Sequence, residues 1–184
     1  MSCVAAVVEN GKVWMGADSA ASDGEDMVTL TNRKAFFNGP YLIGAVGSMR
    51  MTQLLQYKLE PPVYKDPKVP LIKFMATEFI EAVRRTFNVG GFMAQQDEHS
   101  STGIFLVAFK GHIFRFEGDF QVFERVDGFE AIGCGSPYAL GALSVTPDDS
   151  AKPRLEKALM AATYFSAHVR KPYLILNEEG KDVA

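Results

Sequence analysis

Cysteine, histidine, charge and long apolar runs are all scarce in this 184-residue sequence, and each scarcity excludes something. The two cysteines, Cys3 and Cys134, form no CxxC pair and cannot build a disulfide framework, so a reducing, cytoplasmic setting is expected. There are only three histidines; His112 and His168 have no carboxylate at a metal-ligand spacing, and no metal site is expected. Charged residues make up 22% and the net charge is −3, without a basic block, which argues against nucleic acid or an anionic membrane as partner. No run approaches the roughly 18 apolar residues of a membrane span, and no charged segment precedes the short apolar start, so an unexported, soluble chain is expected. Neither GxGxxG nor GxxxxGK[ST] occurs, so nothing points to nucleotide chemistry. What remains is 47% hydrophobic, enough to predict a single domain over 1–184 with a substantial core.

The most informative stretch is the beginning. Residues 3–9 and 12–17 are two short runs rich in valine and small apolar residues, joined by Asn10-Gly11, a strong hairpin signal. A strand that starts at the second residue ties down the terminus and fixes the α-amino group in space. Ser2 is small, the kind of residue that permits removal of Met1, and the chain would then begin with a hydroxyl and an amine on one residue. Asp18 follows the second strand and Lys34 precedes the next apolar run. A buried lysine beside a carboxylate favours loss of a nearby hydroxyl proton, and a free α-amine, with a reference pKa of about 8, can accept it near neutrality.

Further along, residues 19–26 read as a polar surface loop, and short strands are predicted at 27–31, 35–37 and 41–46. Ser48 caps a helix carrying Met51, Leu54, Leu55 and Leu59, and prolines 61, 62 and 67 stop it. A second helix is predicted over 70–87, then a connection over 89–100 in which His99 is exposed. Four strands follow, at 102–109, 112–116, 121–125 and 129–132, as a second sheet. Gly135-Ser136-Pro137 opens a third helix with Ser136 as N-cap, and a fourth spans 154–169, before a last strand at 173–176. Two stacked sheets, each covered outside by a helix pair, satisfy these apolar faces.

The strand pair with GADS, the segments NRKAFF and YLIGAVGS, and the later AIGCGSPYALGAL resemble the proteasome β-subunit superfamily, especially HslV-type peptidases. In that family an N-terminal threonine is the nucleophile, with an acid sixteen and a lysine thirty-two positions later; Ser2, Asp18 and Lys34 keep both intervals. The resemblance implies an α+β, four-layer αββα sandwich of the N-terminal nucleophile (Ntn) hydrolase type. It implies a self-compartmentalised peptidase in which Ser2 attacks, Asp18 holds Lys34, and the Gly47 backbone N–H receives the oxyanion. It further implies stacked homo-oligomeric rings, unfolded protein or peptide as substrate, a separate ATPase unfoldase as partner, and no cofactor beyond a monovalent cation on backbone carbonyls near the fourth helix. Small residues at 20, 21 and 45–49 imply a taste for uncharged substrate side chains.

Several positions depart from the family's pattern. Serine replaces threonine at the nucleophile, which loses a methyl group that restricts the rotamer. Cys134 stands where the family carries a serine near the terminal amine, although Ser136 is kept; Ser166 and Val169 stand where proteasome subunits place an aspartate and a hydroxyl residue. These departures give weight to a second reading of another class: a catalytically weak or inactive ring-forming subunit with the same fold.

Overall fold

Asn10 and Gly11 both take positive φ, 52° and 72°, the geometry that matches the twist of a two-residue hairpin. Strand β1 (Val4–Glu9) therefore folds directly onto β2 (Lys12–Ala17), with Val4 opposite Ala17 and Glu9 opposite Lys12. The computed structural model describes residues 2–22, 25–92 and 103–180; Met1, the connection carrying His99 and the last four residues lie outside them.

The segment expected to be only a loop contains β3 (Ala20–Ser22), paired with β4 (Met27–Thr29) as a separate two-stranded ribbon. Its alanines lack the branched side chains that mark a strand, so sequence gave no signal. β5 (Ala35–Asn38) and β6 (Tyr41–Val46) follow around Gly39, whose φ is 58°. Helix α1 (Met49–Tyr57) starts as expected, with Ser48 Oγ accepting the Met51 N–H at 3.3 Å. The second helical stretch is α2 (Leu71–Phe74), a π turn (Met75–Phe79) and α3 (Ile80–Val89).

The later strands are β7 (Ile104–Phe109), β8 (His112–Phe116), β9 (Val122–Glu124), β10 (Phe129–Ile132) and β11 (Leu174–Asn177). They do not form a sheet of their own, which corrects the expectation from sequence. One sheet runs β5-β6-β7-β8-β9 and the other β10-β1-β2-β11. Hairpin signals reveal which strands are chain neighbours, but β6 pairs with β7 across an intervening helical excursion that no local signal reports.

Helix α4 (Ser136–Ser144) begins at Ser136 itself, with Gly135 as its cap and no side-chain capping bond. Helix α5 (Ala151–Phe165) starts and ends earlier than its periodicity suggested. Ser166 turns extended there, while Val169 stays buried in the same core, which is why its apolar character looked helical.

Three cores follow one another. Helices α1–α3 cover the five-stranded sheet over a core of Phe36, Tyr41, Phe74, Phe79, Phe87, Phe105, Phe114 and Phe116. Between the sheets lie Val4, Ala6, Val13, Met15, Leu42, Leu106 and Ile132. Beyond the four-stranded sheet, α4 and α5 pack over Ala5, Ala131, Ala139, Leu155, Ala158, Leu159 and Ala162. Ser2 and the strand ends around it sit at the edge of the sheet-to-sheet seam, in reach of loops from both sheets. Among the described residues no helix is long and apolar enough to cross a membrane.

Candidate active site

Residue 2 is held by its own backbone before its side chain does anything. Gly133, at the end of β10, takes φ of 93°, and a Cβ there would run into the Ser2 carbonyl oxygen. That carbonyl accepts the Gly135 N–H at 3.3 Å and the Cys134 thiol at 3.5 Å. Only glycine at 133 lets the turn close on the first strand so tightly. Ser2 itself is 6% exposed.

Asp18 fixes the next residue and the lysine together. Its Oδ1 accepts the Cys3 N–H at 2.9 Å and Lys34 Nζ at 2.7 Å. Its Oδ2 accepts the Ala20 N–H at 3.0 Å and the Arg170 N–H at 3.4 Å. Four donors converge on a carboxylate that is 2% exposed, so its lone pairs are satisfied without water. Lys34 is 4% exposed. Burial lowers its pKa from the ordinary lysine value, and the charge of Asp18 opposes that drop without cancelling it. The neighbouring Cys3 thiol is pushed up to about 12 by burial, then by Asp18 and Cys134, and is therefore no nucleophile.

The opposite wall comes from the end of β6. Gly47 takes φ of 98° and is exposed, so its main chain is open to a ligand. Ser2, Gly47, Ser48, Arg115, Cys134 and Ser136 share one cavity of about 450 Å³. Asp18 and Lys34 line a separate cleft of about 210 Å³ with Ser19 and Tyr173. The structure thus gathers four of the six residues read from sequence in one cavity, and ties the other two to it through the backbone of Cys3.

Cys134 is exposed and reaches a second hydroxyl, with its sulfur 3.5 Å from Ser166 Oγ. Ser166 in turn accepts the His168 N–H at 3.4 Å. The Val169 side chain packs into the core under α4 and α5, and its N–H donates to the Ser166 carbonyl at 3.4 Å. His112 meets Glu124 at 2.8 Å at the surface, away from this cluster. Among the described residues no group of three or more metal-ligating side chains is found.

Sequence reasoning passed over Gly133, whose role follows only from the closeness of residue 2, and over the Ala20 and Arg170 N–H groups, which any residue would supply. It also passed over Arg115, although a charge at alternate spacing from Ile113 on a strand was a readable sign of an inward-facing cation.

No protein-family model matches the chain. The chain is 25% identical over 178 residues to an ATP-dependent protease subunit HslV of Caldicellulosiruptor saccharolyticus, covering 90% of this chain and 94% of that one. Its fold is similar to that of BPH from Thiobacillus denitrificans, with a TM-score of 0.77, 21% identity, and 99% and 98% of the two chains covered. It is also similar to eukaryotic HslV from Trypanosoma brucei, with a TM-score of 0.66, 18% identity and coverage of 95% and 98%. Sequence and fold together identify the chain as similar to the proteasome β-subunit and HslV-type Ntn hydrolases.

Proposed function

We propose that this chain is a peptidase whose nucleophile is Ser2, active once Met1 is removed, built as one Ntn hydrolase domain over 1–184 with the four-layer αββα arrangement. The observation that carries the reading is the buried Lys34–Asp18 pair, 2.7 Å apart, whose carboxylate also grips the backbone next to Ser2. A buried cation there stabilises negative charge as it develops on the serine oxygen. Ser2 Oγ attacks the scissile carbonyl carbon and its proton passes to the α-amine of the same residue. The resulting oxyanion accepts the Gly47 N–H. Collapse expels the leaving amine, which takes the proton from the α-ammonium, and water then hydrolyses the ester. Asp18 is a positioning residue that acts through Lys34, and Cys134 and Ser136 support the terminus from the α4 side. The last carbonyls of α5, where Ser166 leaves the helix, are oxygen donors of the kind a monovalent cation takes; no step depends on one.

Self-association into stacked cytoplasmic rings belongs to the same proposal. Support comes from an exposed aromatic face on α4 and α5, where Phe165 stacks on Tyr138 and meets Tyr164 edge-on, the three being 63%, 40% and 83% exposed. The HslV relative is an ATP-dependent protease subunit, and by that likeness a separate ATPase would deliver unfolded substrate. The inactive ring-subunit reading has one specific observation behind it: Cys134 gives the Ser2 carbonyl only a thiol donor at 3.5 Å. Hydrolysis of fluorogenic peptides by the wild type, lost in Ser2→Ala, is the expected result; no turnover from a chain lacking Met1 would favour the structural subunit instead. A monomer by light scattering at micromolar concentration would rule out the rings.

A further inference from the structure

The cavity that holds Ser2 also contains a cation that the proposed chemistry does not use. Arg115 is the one charged side chain among the described residues that line it. It stands on β8 opposite Leu106, on the face turned towards the other sheet, so its side chain enters the seam between the sheets. A guanidinium in such a place needs a reason, because desolvating it is costly unless it is paired.

Two carboxylates hold it from behind. Its Nε donates to Glu117 at 2.6 Å and its Nη1 to Glu130 at 3.4 Å. Glu130 belongs to the other sheet and is 2% exposed. Its Oε1 also accepts the Ala131 N–H at 2.8 Å, while Oε2 has no partner among the described residues. The side chain is thus gripped across the seam by a buried carboxylate that is itself under-satisfied, an arrangement that contributes little stability and fixes position. Neither carboxylate lines the cavity, whereas the arginine does. A ligand entering beside Ser2 therefore meets a pre-oriented guanidinium whose Nε and Nη1 are already engaged by Glu117 and Glu130, which leaves Nη2 for a carboxylate.

On the reading that Ser2 cleaves peptides, we infer that Arg115 receives an acidic side chain of the substrate on a residue flanking the scissile bond. It stands beside the taste for uncharged side chains implied by residues 20, 21 and 45–49, which concerns a different part of the site. The shared chemistry is a carboxylate, and it can come from the residue before the bond or the one after it.

Two arms separate these sources and make the inference independent of turnover. Full-length Ser2→Ala protein is titrated with fluorescein-labelled peptides that differ only as Asp against Asn, placed before the bond in one series and after it in the other. In one series the acid is expected to bind roughly ten- to a hundredfold tighter than the amide, the size of a charge-assisted bond. In Ser2→Ala/Arg115→Gln the ratio falls towards one, and in Ser2→Ala/Arg115→Lys it is partly kept, which separates lost charge from lost folding. Equal binding of acid and amide in both series overturns the inference and leaves the peptidase reading standing. Acid-selective binding by a protein whose wild type hydrolyses nothing does the reverse.

Discussion

The two helix-covered faces of this molecule are built from opposite materials. Under α1–α3 the core contains eight phenylalanines and Tyr41, and rings such as Phe105 and Phe116 stack at 4.5 Å. Under α4 and α5 six of the thirteen buried residues are alanine and none is aromatic, and an added Cβ at Gly16 would come within 3.0 Å of Leu159. Large side chains hold one helical layer away from its sheet; small ones let the other lie almost against the backbone of β1 and β2. Ser2, Cys3 and the 133–135 turn belong to the close-packed side. There the backbone around the terminus is fixed by direct contact, so the nucleophile is placed without needing a large side chain to wedge it. The aromatic side contributes bulk stability, and reaches the site through the edge of its sheet: Lys34 before β5, Gly47 and Ser48 after β6, and Arg115 on β8.

If that division holds, damage to the aromatic core costs stability and leaves the site intact in the folded protein. Phe79 is fully buried and meets Tyr41 at 5.0 Å and Phe116 at 5.5 Å. Phe79→Ala is expected to lower the unfolding free energy by about 3–5 kcal/mol by leaving a cavity. Urea denaturation should show it as a lower midpoint, with peptide turnover per folded molecule unchanged; a loss of turnover in the folded state would break the comparison.

The next effect lies where the two sides meet. Lys34→Met removes the cation while keeping the length of the side chain, and kcat/KM is expected to fall by at least about a hundredfold. Steady-state kinetics on a fluorogenic peptide checks it, and near-normal turnover would detach Lys34 from the mechanism.

On the alanine side the expected cost in stability is smaller and the cost in function larger. A Cβ at Gly135 would lie 2.9 Å from Cβ of Cys3 and Ala162, and Gly135 also donates to the Ser2 carbonyl. Gly135→Ala should cost about 1–3 kcal/mol by overpacking. Activity should fall with it, because the turn that holds residue 2 must shift. Thermal melts together with turnover measure both, and a variant neutral in both would mean that close packing here does not position the nucleophile.

The smallest effect is one of pH. The α-amine must be unprotonated to act as base, so kcat/KM rises with pH through about 8. Lys34 must stay protonated, and burial lowers its pKa from 10.5, so the alkaline fall comes earlier than an ordinary lysine would give. Lys34→Arg, which keeps its charge to far higher pH, should push that alkaline limb upward in whatever activity remains.

Much of this was legible in the sequence, for physical reasons that differ by region. Asn10-Gly11 and Ser48 declare their turn and cap through local backbone chemistry, and both behave as read. The intervals from Ser2 to Asp18 and Lys34 survive as a hydrogen-bonded pair that also holds Cys3. What was not legible is non-local. The joining of β10 to β1 and of β7 to β6 depends on how the hairpins cross, and no residue encodes it alone. Ser136 was misread as a cap because Gly135 can end the preceding turn without a side chain. The ribbon at Ala20–Ser22 owes its strand to pairing with Met27–Thr29 and to the Ala20 N–H bond on Asp18, neither of which appears in its composition.

The most direct test is the mass of the chain and of its N-terminal peptide, before and after exposure to an acylating peptide probe, because every chemical step proposed here requires a free amine on Ser2. The account predicts a chain lighter than the full sequence by one methionine, labelled once, on the peptide that begins with Ser2, with labelling lost in Ser2→Ala. A homogeneous chain that keeps Met1 and still hydrolyses peptides in a Lys34-dependent way would contradict it, since the α-amine could not then be the base.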